Sequence, residues 1–243
     1  MKKSISLFFA ACCALAMVSC QKDNGSDGGS LKEEENNGGG NENVVSSLKG
    51  SEYVVITLDE YTAAGLGSKI KANYGPDDVT RFLYVWDGTY IGGTCSGLNC
   101  YGEAAEWTSL VVTNVGWSGA GWFNGEETPA FVASTSDLAD WKFHVAYKGP
   151  AGSAHIVILT WNGGTYKFAI GNGQLEDNGV AYTAIAPVSG AFEPNVWNEY
   201  EVSLAEAGLD YTKAGKADNL VSVLSGGVAG TTLDVDAIFF YKK

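Results

Sequence analysis

The run Trp141-Lys142-Phe143-His144-Val145-Ala146-Tyr147 alternates bulky apolar side chains with polar or small ones. In an extended chain successive side chains point to opposite faces, so Trp141, Phe143, Val145 and Tyr147 share one face and Lys142 and His144 the other. After Lys148-Gly149-Pro150-Ala151-Gly152 comes His155-Ile156-Val157-Ile158-Leu159-Thr160-Trp161, apolar on both faces. Asn162-Gly163-Gly164 then turns the chain into Thr165-Tyr166-Lys167-Phe168-Ala169-Ile170, and the three runs together predict a meander. Tyr53 to Leu58, Arg81 to Trp86, Glu106 to Thr113, Glu199 to Leu204, Leu220 to Leu224 and Thr232 to Tyr241 are further strand candidates, separated by Gly-rich turns. Only Tyr61 to Ala64 and Leu204 to Gly208 read as helical, and both are short. Many short strands with 32 glycines predict an all-β, antiparallel β-sandwich with few short helices.

Charge narrows the ligand. The formal net charge is −13 and Arg81 is the only arginine. Reading phosphate backbones takes clustered Lys and Arg, so nucleic acid is excluded as a partner and an anionic membrane surface would repel the domain. A neutral ligand or a cation is favoured by what remains.

The N-terminus has its own logic. Lys2 and Lys3 precede the apolar run Ile5 to Leu15, and Ala16-Met17-Val18-Ser19 leads to Cys20. The run is short for a membrane span and reads as an export signal over residues 1–19. It resembles a bacterial lipoprotein signal, which implies lipidation of Cys20 as the first mature residue; Met17 stands where that family prefers leucine. Residues 20–50 are Gly, Asn, Ser and Glu with almost nothing to bury, hence a flexible linker with a reach of about 30 Å. The acids after Gln21-Lys22-Asp23 are similar to the acidic stretch of Bacteroidetes-type surface lipoproteins. That likeness implies an outer-membrane protein facing the cell exterior, touching the membrane through its anchor alone. One stretch of ordinary domain length, 51–243, follows without a second linker.

Cysteine usage fits export. With Cys12 and Cys13 in the leader and Cys20 as lipid acceptor, Cys95 and Cys100 remain, flanking the turn-forming Ser96-Gly97-Leu98-Asn99. A disulfide between them is expected as a staple on a loop. Zinc is disfavoured, since His144 and His155 are the only histidines.

The final residues carry a second likeness. Trp197-Asn198-Glu199-Tyr200-Glu201-Val202-Ser203-Leu204, then Asn219 to Leu224, then Leu233-Asp234-Val235-Asp236-Ala237-Ile238-Phe239-Phe240 resembles the closing strands of galactose-binding-like jelly rolls, which include many carbohydrate-binding modules. The likeness covers about a quarter of the domain. It implies a jelly roll, and a structural calcium held by Asp59 or Glu60 with Asp236, oxygen ligands of the kind calcium takes.

Sugars present apolar C–H faces ringed by hydroxyls, so a sugar site needs flat aromatic surfaces with polar groups at the rim. Seven tryptophans are available. Trp117 and Trp122 lie in Gly116-Trp117-Ser118-Gly119-Ala120-Gly121-Trp122-Phe123-Asn124-Gly125-Glu126, which reads as a glycine-broken loop. Trp117 is the first candidate platform, with Trp122, Asn124 and Glu126 as companions; the competing reading starts a core strand at Trp122-Phe123. Trp86, Asp87, Tyr90 and Tyr101 are candidates to line a pocket beside the expected disulfide. No carboxylate spacing or nucleophile motif supports catalysis. The expected role is therefore glycan binding at the cell surface beside outer-membrane glycan-uptake proteins. A fimbrial-type adhesive subunit is one alternative, and a glycoside hydrolase or polysaccharide lyase on the same scaffold is another.

Overall fold

A computed structural model describes residues 48–243 apart from 78, 103–105, 114, 126–127, 129–130, 133 and 216. The signal, Cys20, the linker up to residue 47 and Glu126 therefore lie outside the described residues; the linker's end is corrected, since Leu48 is buried against the domain and the Gly50 N–H donates to Tyr53 Oη at 2.7 Å. Fourteen strands are present among those described: β1 (Glu52–Thr57), β2 (Ile70–Asn73), β3 (Phe82–Val85), β4 (Tyr90–Gly92), β5 (Thr108–Val112), β6 (Ser118–Phe123), β7 (Trp141–Lys148), β8 (Ala154–Trp161), β9 (Gly164–Gly171), β10 (Gln174–Asp177), β11 (Val180–Thr183), β12 (Asn198–Ser203), β13 (Asn219–Ser225) and β14 (Thr232–Lys242). Two short helices, α1 (Glu60–Leu66) and α2 (Leu204–Ala207), sit at strand ends. Asp59 starts α1 by accepting the Thr62 N–H at 2.8 Å.

The strands form a β-sandwich. One sheet runs β12-β7-β14-β1-β2, with β5 also on β14 and β4 on β5; the other runs β3-β6-β13-β8-β9. All pairings within these two sheets are antiparallel except β1 with β2. The alternation in β7 holds in full: Trp141, Phe143, Val145 and Tyr147 are buried in the core between the sheets. On the opposite face His144 stacks flat on Phe239, ring centres 4.4 Å apart. Asn162 and Gly163 take φ of 48° and 77°, the left-handed pair a two-residue hairpin turn needs, and join β8 to β9.

The expected three-strand meander is not formed. β7 belongs to one sheet and β8 to the other, so only β8 and β9 pair. The physical reason is the double-sided apolar character of β8. His155, Val157, Leu159 and Trp161 fill the core, while Ile156 and Ile158 lie on the outer face of their own sheet. The segment through Pro150 carries the chain across the roughly 10 Å between packed sheets.

β14 is the central strand of its sheet, with β7 along one side and β5 then β1 along the other. Leu233, Val235, Ile238 and Phe240 point into the core. The pattern stays in phase because Ala237, at φ 49°, forms a bulge between Asp236 and Phe239.

Candidate functional site

β6 is the sequence that read as a loop. Its glycines are not turn residues; they fall at alternate positions of a buried strand, Gly119 and Gly121 outward, Ala120 and Trp122 inward. The sheet register then lays one outward row across five strands: Tyr84, Gly121, Ser222, Ile158 and Lys167. The neighbouring row is Gly119, Leu224, Ile156 and Ala169, with Trp86 following β3 at the Gly119 end.

The glycines make this face what it is. A Cβ at Gly119 would stand 2.8 Å from Trp86 Cε3 and 3.0 Å from both Trp117 Cζ3 and Leu224 Cδ2. Its absence lets two indoles and a leucine converge on bare backbone. Trp117 keeps 44% of its surface exposed and Tyr84 37%, and the Tyr84 ring meets Trp86 edge-on at 6.1 Å. Phe82 and Phe123 stack at 4.9 Å one row further on. At Gly121 a Cβ would meet Asn219 Oδ1 at 2.8 Å and Ser222 Oγ at 3.0 Å. Asn219 Oδ1 is buried there without a hydrogen-bond partner. On the other side the β10–β11 hairpin folds back toward the sheet. Lys167 Nζ pairs with Asp177 at 2.5 Å, and Leu175 Cδ2 comes within 3.4 Å of where a Gly226 Cβ would be. The result is a sheet face with aromatic groups on one flank, a hairpin on the other, and charge at the hairpin side cancelled within an ion pair.

The structure divides the expected ligand set. Trp117, Trp86 and Asp87 lie together at the β3–β6 edge, Asp87 exposed at the tip of its turn with φ 50°. Trp122 is corrected: it points inward, 1% exposed, within the main core. Asn124 is corrected too, because its buried amide ties strand ends together. Its Nδ2 donates to Thr128 Oγ1 at 2.5 Å and Ala217 O at 3.0 Å, and its Oδ1 accepts the Leu220 N–H at 2.7 Å. Tyr90 is fully buried in the core. Tyr101 packs against a smaller hydrophobic cluster that includes Tyr53, Val55 and Phe239, on the outer side of the β14 sheet, and burial raises its phenol well above the ordinary range. Neither tyrosine reaches the aromatic face. Tyr84, Phe82, Phe123, Asn219 and Ser222 were missed. The signal for them was the alternating Gly-Ala-Gly-Trp of β6, which marks a strand with one bare face.

The expected disulfide is also corrected. Cys100 is a free thiol, half-buried, and burial together with the nearby acids Glu199, Asp236 and Asp59 raises its pKa. Its main-chain N–H donates to Asp236 Oδ2 at 2.9 Å, which turns this residue toward β14, while Cys95 Sγ lies 3.4 Å from Trp107 O. Of the expected calcium ligands, Asp59 and Asp236 come together and are buried, whereas Glu60 is exposed and its N–H faces Glu106 Oε2 at 3.4 Å. Asp236 is raised to about 6, first by burial and also by Asp59, against hydrogen bonds from the Cys100 and Ala237 N–H groups. Asp59 Oδ2 has no partner. No three His, Cys, Asp or Glu side chains converge as a metal set among the described residues.

No protein-family profile matches the chain, and no curated protein matches it. Among solved structures it is similar to the family 30 carbohydrate-binding module of a Clostridium thermocellum cellulosomal cellulase, at 13% identity and TM-score 0.41, over 68% of this chain and 92% of that one. It is similar to the family 11 module from Clostridium thermocellum, in complex with a β-1,3-1,4-mixed-linked tetrasaccharide, at 12% identity and TM-score 0.37, covering 68% and 89%. SGBP-B from a xyloglucan utilization locus in Bacteroides uniformis matches at 14% and 0.36, covering 68% of this chain and 48% of that one. At these values each is a distant likeness and assigns no ligand.

Proposed function

We propose that this chain is a surface-anchored binder of neutral carbohydrate, using the outer face of the β3-β6-β13-β8-β9 sheet. One observation carries the reading: Trp86, Trp117 and Tyr84 gather over Gly119 and Gly121, leaving exposed aromatic surface at the β3–β6 edge. Flat rings take the C–H face of a sugar, and the exposed Asp87 at the end of the platform is placed to take hydroxyls at its rim. Lys167 is already neutralised by Asp177, so nothing on this face demands a charged ligand. Lipidation at Cys20 would hold the domain at the outer membrane, facing outward, and outer-membrane glycan-uptake proteins would be its neighbours.

Binding is proposed without catalysis. The fimbrial alternative needs a terminal strand that can be exchanged, and losing β14 would break its sheet into three separate pairs, β12-β7, β1-β2 and β4-β5. Calcium belongs to the proposal at Asp59 and Asp236, where a cation would relieve two buried carboxyls; chelation should then lower the melting temperature, and an unchanged value removes the metal. The test of function is affinity electrophoresis in polysaccharide gels. Wild type should be retarded by at least one neutral polymer, and Trp117→Ala should abolish retardation with little change in melting temperature. No retardation by any polymer, or release of reducing or unsaturated sugar, overturns the reading.

A further inference from the structure

β3 stops one residue too soon. It pairs with β6 as far as Val85 opposite Ala120, and the next residue, Trp86, leaves the strand in a tight turn. Gly119 is the β6 residue that Trp86 would otherwise have faced, and its main-chain N–H and C=O on that side lose their strand partner. Buried main-chain groups need partners. Both are taken by one side chain. The buried Thr89 Oγ1 accepts the Gly119 N–H at 3.0 Å and donates to Gly119 O at 3.2 Å. Only a hydroxyl accepts and donates through one atom in so small a space.

The same residue closes the turn that carries Trp86. Thr89 N–H donates to Trp86 O at 3.0 Å, across Asp87 and Gly88 at φ 50° and 63°. Thr113 holds the turn from behind, its Oγ1 bonding Gly88 O at 3.2 Å and Thr89 O at 3.0 Å. Thr89 thus ties the backbone of Trp86 to the backbone of Gly119, the residue on which the Trp86 ring lies.

We propose that Thr89 is a positioning residue for the aromatic platform: its hydroxyl replaces the missing strand bond at Gly119 and fixes Trp86 on the sheet before ligand arrives. This rests on the carbohydrate reading. A platform fixed in advance loses little side-chain freedom on binding, which is where affinity is gained. Thr89→Val keeps the branched shape and removes both hydrogen bonds to Gly119; Thr89→Ser keeps the hydroxyl.

The experiment compares wild type, Thr89→Val and Thr89→Ser in full-length protein on a gel of whichever polysaccharide retards wild type. Thr89→Val should weaken binding about tenfold, equivalent to about 1.4 kcal/mol, and Thr89→Ser should restore most of it. Near-ultraviolet circular dichroism adds a readout that general destabilisation does not move. In folded Thr89→Val the signal from Trp86 against Tyr84, defined by subtracting Trp86→Phe, should fall. Hydrogen exchange at the Gly119 amide should quicken in Val and not in Ser. If wild type is retarded and Thr89→Val binds equally well, or if Ser is as weak as Val while both keep the Trp86 signal, the proposal is overturned. If wild type itself is not retarded by any polymer, the carbohydrate reading fails first, and the proposal falls with it.

Discussion

His155 should make the domain acid-labile by a predictable amount. The ring is fully buried on the inner side of β8, edge-on to Tyr147 at 5.4 Å, and neither ring nitrogen has a hydrogen-bond partner. Burial depresses its pKa from 6.5 to about 4; the Thr232 main chain favours the charged ring slightly but does not reach hydrogen-bond geometry. In the unfolded chain the imidazole protonates near 6.5, so between 6.5 and 4 the unfolded state binds the extra proton and stability falls as pH falls. A pKa change of that size corresponds to about 3 kcal/mol, present at pH 7 and gone by pH 4. The perturbation is His155→Phe, which keeps a ring against Tyr147, removes two unpartnered nitrogens and cannot titrate. Urea denaturation followed by tryptophan fluorescence at pH 7, 5.5 and 4 gives both stabilities. Their difference cancels every titration the two proteins share. The variant should gain about 3 kcal/mol on wild type between pH 7 and pH 4. A difference that stays constant across this range refutes the reasoning, since the buried ring would then be accommodating its proton.

Other outcomes are read from the same geometry. Gly119→Ala adds a methyl 2.8 Å from Trp86 and 3.0 Å from Trp117 at an ordinary strand residue; it should displace the indoles and abolish polysaccharide retardation, with a melting temperature that drops less than for a core variant. Trp122→Ala opens a cavity between the sheets and should cost about 3–5 kcal/mol in denaturant unfolding, whereas Trp117→Ala should cost under about 1 kcal/mol; reversal of that order would exchange their roles. Asn124→Ala leaves the buried Leu220 N–H unpartnered and should cost about 1–3 kcal/mol, without altering ligand affinity in protein that remains folded.

The sandwich was legible where chemistry alternates with the pleat. β7, the Asn162-Gly163 hairpin and the β14 pattern all say strand on their own, because one face must be buried and one turn must be left-handed. Pairing was less legible. β7 and β8 are neighbours in sequence and members of different sheets, and nothing in seven alternating residues says which partner lies beside them. The site was half legible for a similar reason. Glycine ordinarily punctuates, so Gly116 to Trp122 reads as a loop; here Gly119 and Gly121 are vacancies that neighbouring side chains fill. Trp117 and Trp86 were visible as tryptophans near turns. Their meeting over Gly119 depends on pairings among β3, β6 and β13, segments separated by many residues, and no local pattern encodes it. Cys95 and Cys100 show the opposite error. A favourable spacing suggested a bond between them, while Cys100 is a free thiol whose main chain is tied to Asp236.

The place of β14 governs the order in which the domain can be made. The last strand in the chain is the middle strand of its sheet, and Ser51 N–H donates to Lys242 O at 2.8 Å, joining the first strand to the final residues. A growing or translocating chain therefore holds β1, β5 and β7 as strands without their common neighbour until residues 232–242 arrive. Assembly of that sheet is deferred to the end, and a chain cut short by a dozen residues would present several unpaired edges at once, ready for proteolysis or aggregation. In the finished protein the two ends of the domain leave side by side, so a tether at one terminus and a fusion at the other would emerge from the same spot.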